Sequence, residues 1–113
     1  MEIIAEPIPL ARLRGMAERR FGDMVKAVVD IDRGIMAVDG ELHSDEEEVL
    51  LQEGSRQGGL WGINIYPDAA GEDWVEFDSM INLRPSQGNR SRGVEDPQCR
   101  QRIREIVGRL VVR

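Results

Sequence analysis

Between Met24 and Ile31 the apolar residues recur at every second position. Val25, Ala27, Val29 and Ile31 share one side, which predicts a strand buried on one face. Asp32-Arg33-Gly34 reads as a turn that returns the chain into a second strand, Ile35 to Val38, so the two form a hairpin. Ahead of it, Ile3 and Ile4 suit a short first strand. Pro9, at a first helical turn, then opens a helix running to about Arg20, with Leu10, Leu13, Met16, Ala17 and Phe21 on one side and Gly22 closing it. Ser44 with Glu47 three residues later has the form of an N-cap, and predicts a helix from about Asp45 to Glu53 that ends at Gly54. Its acidic first turn suits the helix dipole.

A second hairpin is expected between Leu60–Tyr66 and Trp74–Arg84, joined through a linker, residues 66 to 74, that carries Pro67 and Gly71 and reads as mobile. In the returning strand Val75, Phe77, Ser79, Ile81 and Leu83 point one way, and Glu76, Asp78, Asn82 and Arg84 the other, interrupted by Met80. Asp96 caps a last helix that begins at Pro97 and carries Cys99, Ile103, Ile106, Val107 and Leu110 at helical spacing. The order β-α-β-β-α-β-β-α predicts an α+β two-layer sandwich, with three helices on one face of an antiparallel or mixed sheet of about four or five strands. Its other face would carry Lys26, Asp30, Asn64, Tyr66, Glu76, Asp78, Asn82 and Arg84. Left uncovered, such a face is a docking surface for a partner, and homodimerisation is a natural use.

The chain has 113 residues, 41% of them apolar, enough for one core and too few for two, so residues 1 to 113 read as a single domain. The one cysteine, Cys99, cannot form an intrachain disulfide or a cysteine-cluster metal site, which fits a reducing, cytoplasmic setting. On the stripe of the last helix it reads as a small buried hydrophobe. The acidic start of the chain does not read as a signal peptide, and no apolar run is long enough to cross a bilayer. Charge is divided unevenly: residues 39 to 78 hold twelve acidic side chains against one arginine, and residues 84 to 113 hold eight arginines against three acids. The net charge of −6 argues against general nucleic-acid binding, which needs accumulated positive charge.

Four runs carry a family resemblance. They are residues 21 to 30 (Phe21-Gly22-Asp23-Met24-Val25-Lys26-Ala27-Val28-Val29-Asp30), residues 40 to 47 around His43, residues 60 to 67 from Leu60-Trp61-Gly62, and residues 76 to 92. Taken together they resemble a family of short, mainly bacterial, single-domain proteins classed as a domain of unknown function. The resemblance spans nearly the whole chain and implies no activity, cofactor or catalytic residue.

Candidate chemistry therefore rests on the residues themselves. Arg84 to Arg92 supplies three arginines with Asn82, Asn89, Ser86 and Ser91, donors in excess that suit a phosphate, a carboxylate or an acidic partner segment. Arg84, Asn89, Arg90, Arg92 and Asn82 are the expected ligand-binding set. Alternatively the same arginines clamp the acidic segment Asp45-Glu46-Glu47-Glu48. No Gly-rich phosphate fingerprint follows a strand. His43, the one histidine, stands between Glu41 and Asp45 at a spacing that could approach a metal if the stretch were extended, or simply covers the helix end. As a general base, His43 would take Asp78 or Glu76 as an orienting carboxylate, and these three are the candidate catalytic residues. Glu76 and Asp78 could also sit close enough to raise one pKa or to hold a divalent cation, or pair with Arg84, Arg90 or Arg92. A binding module with an anion site is the favoured reading, ahead of a dimeric interaction protein and a small enzyme. No cofactor is implied.

Overall fold

The computed structural model describes all 113 residues. Its elements follow the expected order with two short additions: β1 (Glu2–Ile4), β2 (Ile8–Pro9), α1 (Leu10–Arg20), β3 (Val25–Asp30), β4 (Ile35–Val38), α2 (His43–Gln52), β5 (Leu60–Ile65), β6 (Val75–Glu76), α3 (Pro97–Leu110) and β7 (Val111–Val112). The fold is α+β. Five strands form an antiparallel sheet in the order β1-β4-β3-β5-β6, and β2 pairs in parallel with β7 as a separate ribbon.

The first hairpin forms as the alternation predicts, with Val29 opposite Met36 and Asp30 opposite Ile35. Asp30 is buried at its turn, where its carboxylate accepts hydrogen bonds from the backbone N–H groups of Asp32 and Arg33 and, at 2.6 Å, from the Ser55 hydroxyl. Gly34, at φ 68°, supplies the left-handed residue the turn requires. Helices α1 and α3 cover one sheet face. Leu13, Met16, Ile103 and Leu110 meet Val25, Ala27, Val29, Met36, Ile63 and Ile65 there in one continuous core. Asp96 caps α3 as expected, accepting from the Gln98 N–H at 2.9 Å.

The other sheet face is not left open. Leu50 of α2 packs on Val28, Ala37 and Leu60, with Ile3, Ile35 and Ile81 around them. Val28 and Ala37, which alternate with the main-core residues, make that face apolar at its centre, so a helix covers it. The surface offered to a second copy is therefore occupied. Helix α2 also begins earlier than the Ser44 cap implies: Leu42 holds the N-cap position, with no side-chain cap bond. Its inward stripe is His43, Glu46 and Leu50, spaced i, i+3, i+7, and burying His43 requires the helix to include it.

The returning strand of the second hairpin is the larger departure. It pairs only at Val75 and Glu76, opposite Ile65 and Asn64. Beyond them, residues 77 to 92 form an irregular segment with short 3₁₀ turns at Met80–Asn82 and Pro85–Gln87. The expected single face is split: Phe77 packs with the main core, Ile81 with the α2 cluster, and Leu83 is exposed. Where the strand would have met Gly62, the side chain of Asn82 takes its place. Its Oδ1 accepts from the Gly62 N–H at 2.8 Å and its Nδ2 donates to the Gly62 carbonyl at 2.9 Å. Glycine is required there, since a Cβ would stand 2.5 Å from Ser79. In the linker, a 3₁₀ turn at Gly71–Trp74 places Trp74 against the core.

Replacing Asn82 by Ala strands two buried main-chain groups of Gly62. The expected cost is about 2–4 kcal/mol, measured as a lowered urea midpoint with an unchanged slope.

Candidate functional site

Ser79, Met80, Ile81 and Arg92 stand beside the first turn of α2 and bound, with it, a cavity of about 180 Å³ at the start of β3. Lys26 reaches it from β3, His43 and Ser44 from the start of α2, and Arg92 from the far side. Lys26 has no carboxylate partner, and its ammonium lies 5.4 Å from the centroid of the Phe21 ring. Arg92 binds Asp78 Oδ1 through Nε at 2.6 Å, and no hydrogen bond uses its two terminal nitrogens. Because α2 lacks a side-chain cap, the backbone N–H groups of His43 and Ser44 have no main-chain partner. Positive charge, free guanidinium donors and open helix amides thus converge on one small space.

His43 is 8% exposed, and its Nε2 lies 2.8 Å from the Ile63 carbonyl oxygen. A carbonyl can only accept, so Nε2 carries the proton and Nδ1 keeps the lone pair, to which no protein group donates. Burial holds the imidazole pKa below its ordinary value, the Ile63 carbonyl opposes that shift, and the charge on Lys26 adds to it. The ring is neutral at pH 7. Neither Asp78 nor Glu76 hydrogen-bonds to it: Asp78 is taken by Arg92, while Glu76 Oε1 accepts from Asn64 Nδ2 at 2.9 Å and from the Tyr66 hydroxyl at 3.2 Å. The group that orients His43 is a main-chain carbonyl.

Of the expected ligand-binding residues, Asn82, Asn89 and Arg84 have structural roles, Arg90 is exposed, and only Arg92 borders the cavity. Asn82 holds Gly62. Asn89 is buried, donates to the carbonyls of Asn82 and Gly93, and accepts the Glu95 N–H at 2.9 Å. Arg84 donates to the carbonyls of Ile81, Gln57 and Leu60 and stacks 4.5 Å from the centroid of Trp61. Arg90 points into solvent, with only its backbone N–H engaged, by Glu95. No loop arginine forms an ion pair with residues 45 to 48; the arginine of this region that meets an acid is Arg92, on Asp78. Glu41 pairs with Arg20 away from His43, and no three His, Cys, Asp or Glu side chains are grouped to hold a metal. Cys99 is buried in the main core, where desolvation pushes its thiol up to about 11.

Two wider depressions lack this convergence. One, of about 340 Å³, is walled by Asp39, Glu41, Asp45 and Glu48, its cations Arg20 and the Met1 amino group already paired with Asp39 and Glu41, and the other, of about 410 Å³, lies along the outer side of α3.

Compared with known protein families, residues 2–110 match the model of one described as "Protein of unknown function (DUF5674)". The chain belongs to that family. No curated protein and no solved structure matches it. The match to DUF5674 covers every element of the main sheet and all residues of the cavity. No helix of this DUF5674 member is long and apolar enough to cross a membrane.

One buried group of the DUF5674 chain was hidden within the acidic string. Glu46 is 0% exposed, its Oε2 accepts the Gly40 N–H at 2.8 Å, and its Oε1 has no partner. Its spacing from His43 and Leu50 was the available signal, since all three lie on one helical stripe. Desolvation pushes its carboxyl up to about 9. The unfolded chain releases this proton near the ordinary value of 4.5 and the folded chain keeps it to about 9, so stability falls as pH rises between the two. Glu46→Gln, which mimics the protonated form, is expected to be more stable than the parent by roughly 3 kcal/mol at pH 7. The difference should shrink towards zero near pH 4, as read by urea unfolding of both proteins across that range.

Proposed function

We propose that the protein is a small anion-binding module whose site is the cavity between the start of α2 and residues 79 to 92. The observation that carries this reading is the meeting of Lys26, which has no acidic partner, with the free terminal nitrogens of Arg92 and the open amides of His43 and Ser44. Two cations and a helix N-terminus favour a negative group more than any of them does alone. Arg92 is the residue that this site shares with the set expected from the loop. An acidic side chain of a partner protein would meet the same donors as a free ligand.

A second reading, a small enzyme, is favoured by one observation. The imidazole of His43 is neutral and fixed in one tautomer, with its lone pair on the nitrogen that no protein group fills. That is the state of a general base beside a bound anion. Catalysis resting on it would be level around neutral pH and would decline as acid protonates the ring, at a pH below the ordinary histidine range.

The anion reading is tested by thermal shift with acetate, inorganic phosphate and sulfate on the parent, Lys26→Ala and Arg90→Ala. A ligand present at about ten times its Kd should raise Tm by roughly 5 °C or more. Lys26→Ala should abolish the shift and Arg90→Ala should leave it intact. The reverse pattern places the anion on the exposed loop, and no shift in any protein ends the proposal.

A further inference from the structure

The cavity has a second property, which its cations do not explain. Leu42 and Met80, 56% and 62% exposed, both border it, and Ile81 lines it beside them. Exposed apolar side chains scattered singly need no account, but here they share one rim around a charged floor. Methionine is the side chain best able to adapt its shape to an apolar guest. The rim thus offers hydrocarbon a place that solvent does not.

Charge and size narrow the guest further. Arg92 is half spent on Asp78, so the floor's net charge is that of Lys26 alone, since His43 is neutral. One positive charge matches a monoanion and leaves a phosphate dianion half uncompensated. At about 180 Å³ the space also lies below the roughly 300–1,000 Å³ typical of sites for drug-sized ligands, which leaves no room for a nucleotide.

Resting on the anion-site reading, we infer that the ligand is a small monocarboxylate with an apolar body. Its carboxylate lies on Lys26, the Arg92 terminal nitrogens and the α2 amides, and its hydrocarbon covers Leu42 and Met80. Nδ1 of His43, which accepts no hydrogen bond from the protein, adds a place for a hydroxyl or amino hydrogen next to the carboxylate.

The test is an NMR titration of the full chain with acetate, butyrate, 4-methylpentanoate and inorganic phosphate, repeated on the Leu42→Ala/Met80→Ala variant, which shortens the apolar rim without adding a capping side chain to α2. The exposure of both side chains keeps the variant folded, which its own spectrum checks. Each added methylene should tighten binding about fourfold, from a transfer free energy of about 0.8 kcal/mol, until the cavity is full. In the variant the gain with chain length should vanish while acetate binding is unchanged, and phosphate should bind no tighter than acetate. A flat response to chain length, a gain that persists in the variant, or a preference for phosphate overturns the carboxylate inference and leaves the anion site standing. Absence of shifts at the cavity with all four ligands removes both.

Discussion

Residues 77 to 92 hold their place through the paired hydrogen bonds between the Asn82 side chain and the main chain of Gly62. Strand β5 is bonded to β3 along its length, while β6 accompanies it for two residues only. Past that point a primary amide stands in for a strand residue, matching one donor and one acceptor as a backbone would. The same Nδ2 also reaches the Arg92 carbonyl at 2.9 Å, which ties the far end of the segment to the sheet. Asn89 and Arg84 then close the remaining carbonyls from within. An irregular segment can lie against a sheet only if its main chain is satisfied in this way. Asn82, Asn89 and Arg84 are spent on architecture, which leaves Arg92 as the donor of this segment that borders the cavity.

Helix α2 places two unlike demands on its inward stripe. Leu50 buries against Val28, Ala37 and Leu60 as an ordinary core residue, while His43 and Glu46 bring polar atoms onto the same sheet face. Each is answered by a main-chain group: the Ile63 carbonyl for His43, and the Gly40 N–H for Glu46. The helix is thereby pinned at its start by polar contacts and along its middle by packing. Its first amides consequently lack a capping side chain, and the residues that carry them, His43 and Ser44, border the cavity.

The fold was legible wherever a period ran long enough to have one meaning. Val25 to Ile31 alternates cleanly and Cys99 to Leu110 repeats at helical spacing, so strand β3 and helix α3 followed from pattern alone. The stretch from Val75 to Leu83 alternates just as well, yet its alternation is incidental, because Phe77 and Ile81 enter different cores. What decides that segment is the match of one asparagine to one glycine twenty residues away, which has no periodic signature. The site was half legible for a related reason. Donor-rich composition pointed to residues 82 to 92, but composition does not separate donors that face a cavity from donors that face their own backbone. Lys26 and Ser44 were visible on the polar side of a strand and at a helix start, and only the tertiary approach of residues 79 to 92 joins them to His43 and Arg92.

The buried carboxyl of Glu46 also changes what the molecule presents to a field. The formal charge of −6 counts every acid as ionised, whereas the folded protein keeps one proton in its interior at neutral pH and so carries one negative charge fewer. Its folded and unfolded forms therefore differ in isoelectric point as well as in size, and native electrophoresis would register the folded form as the less acidic of the two.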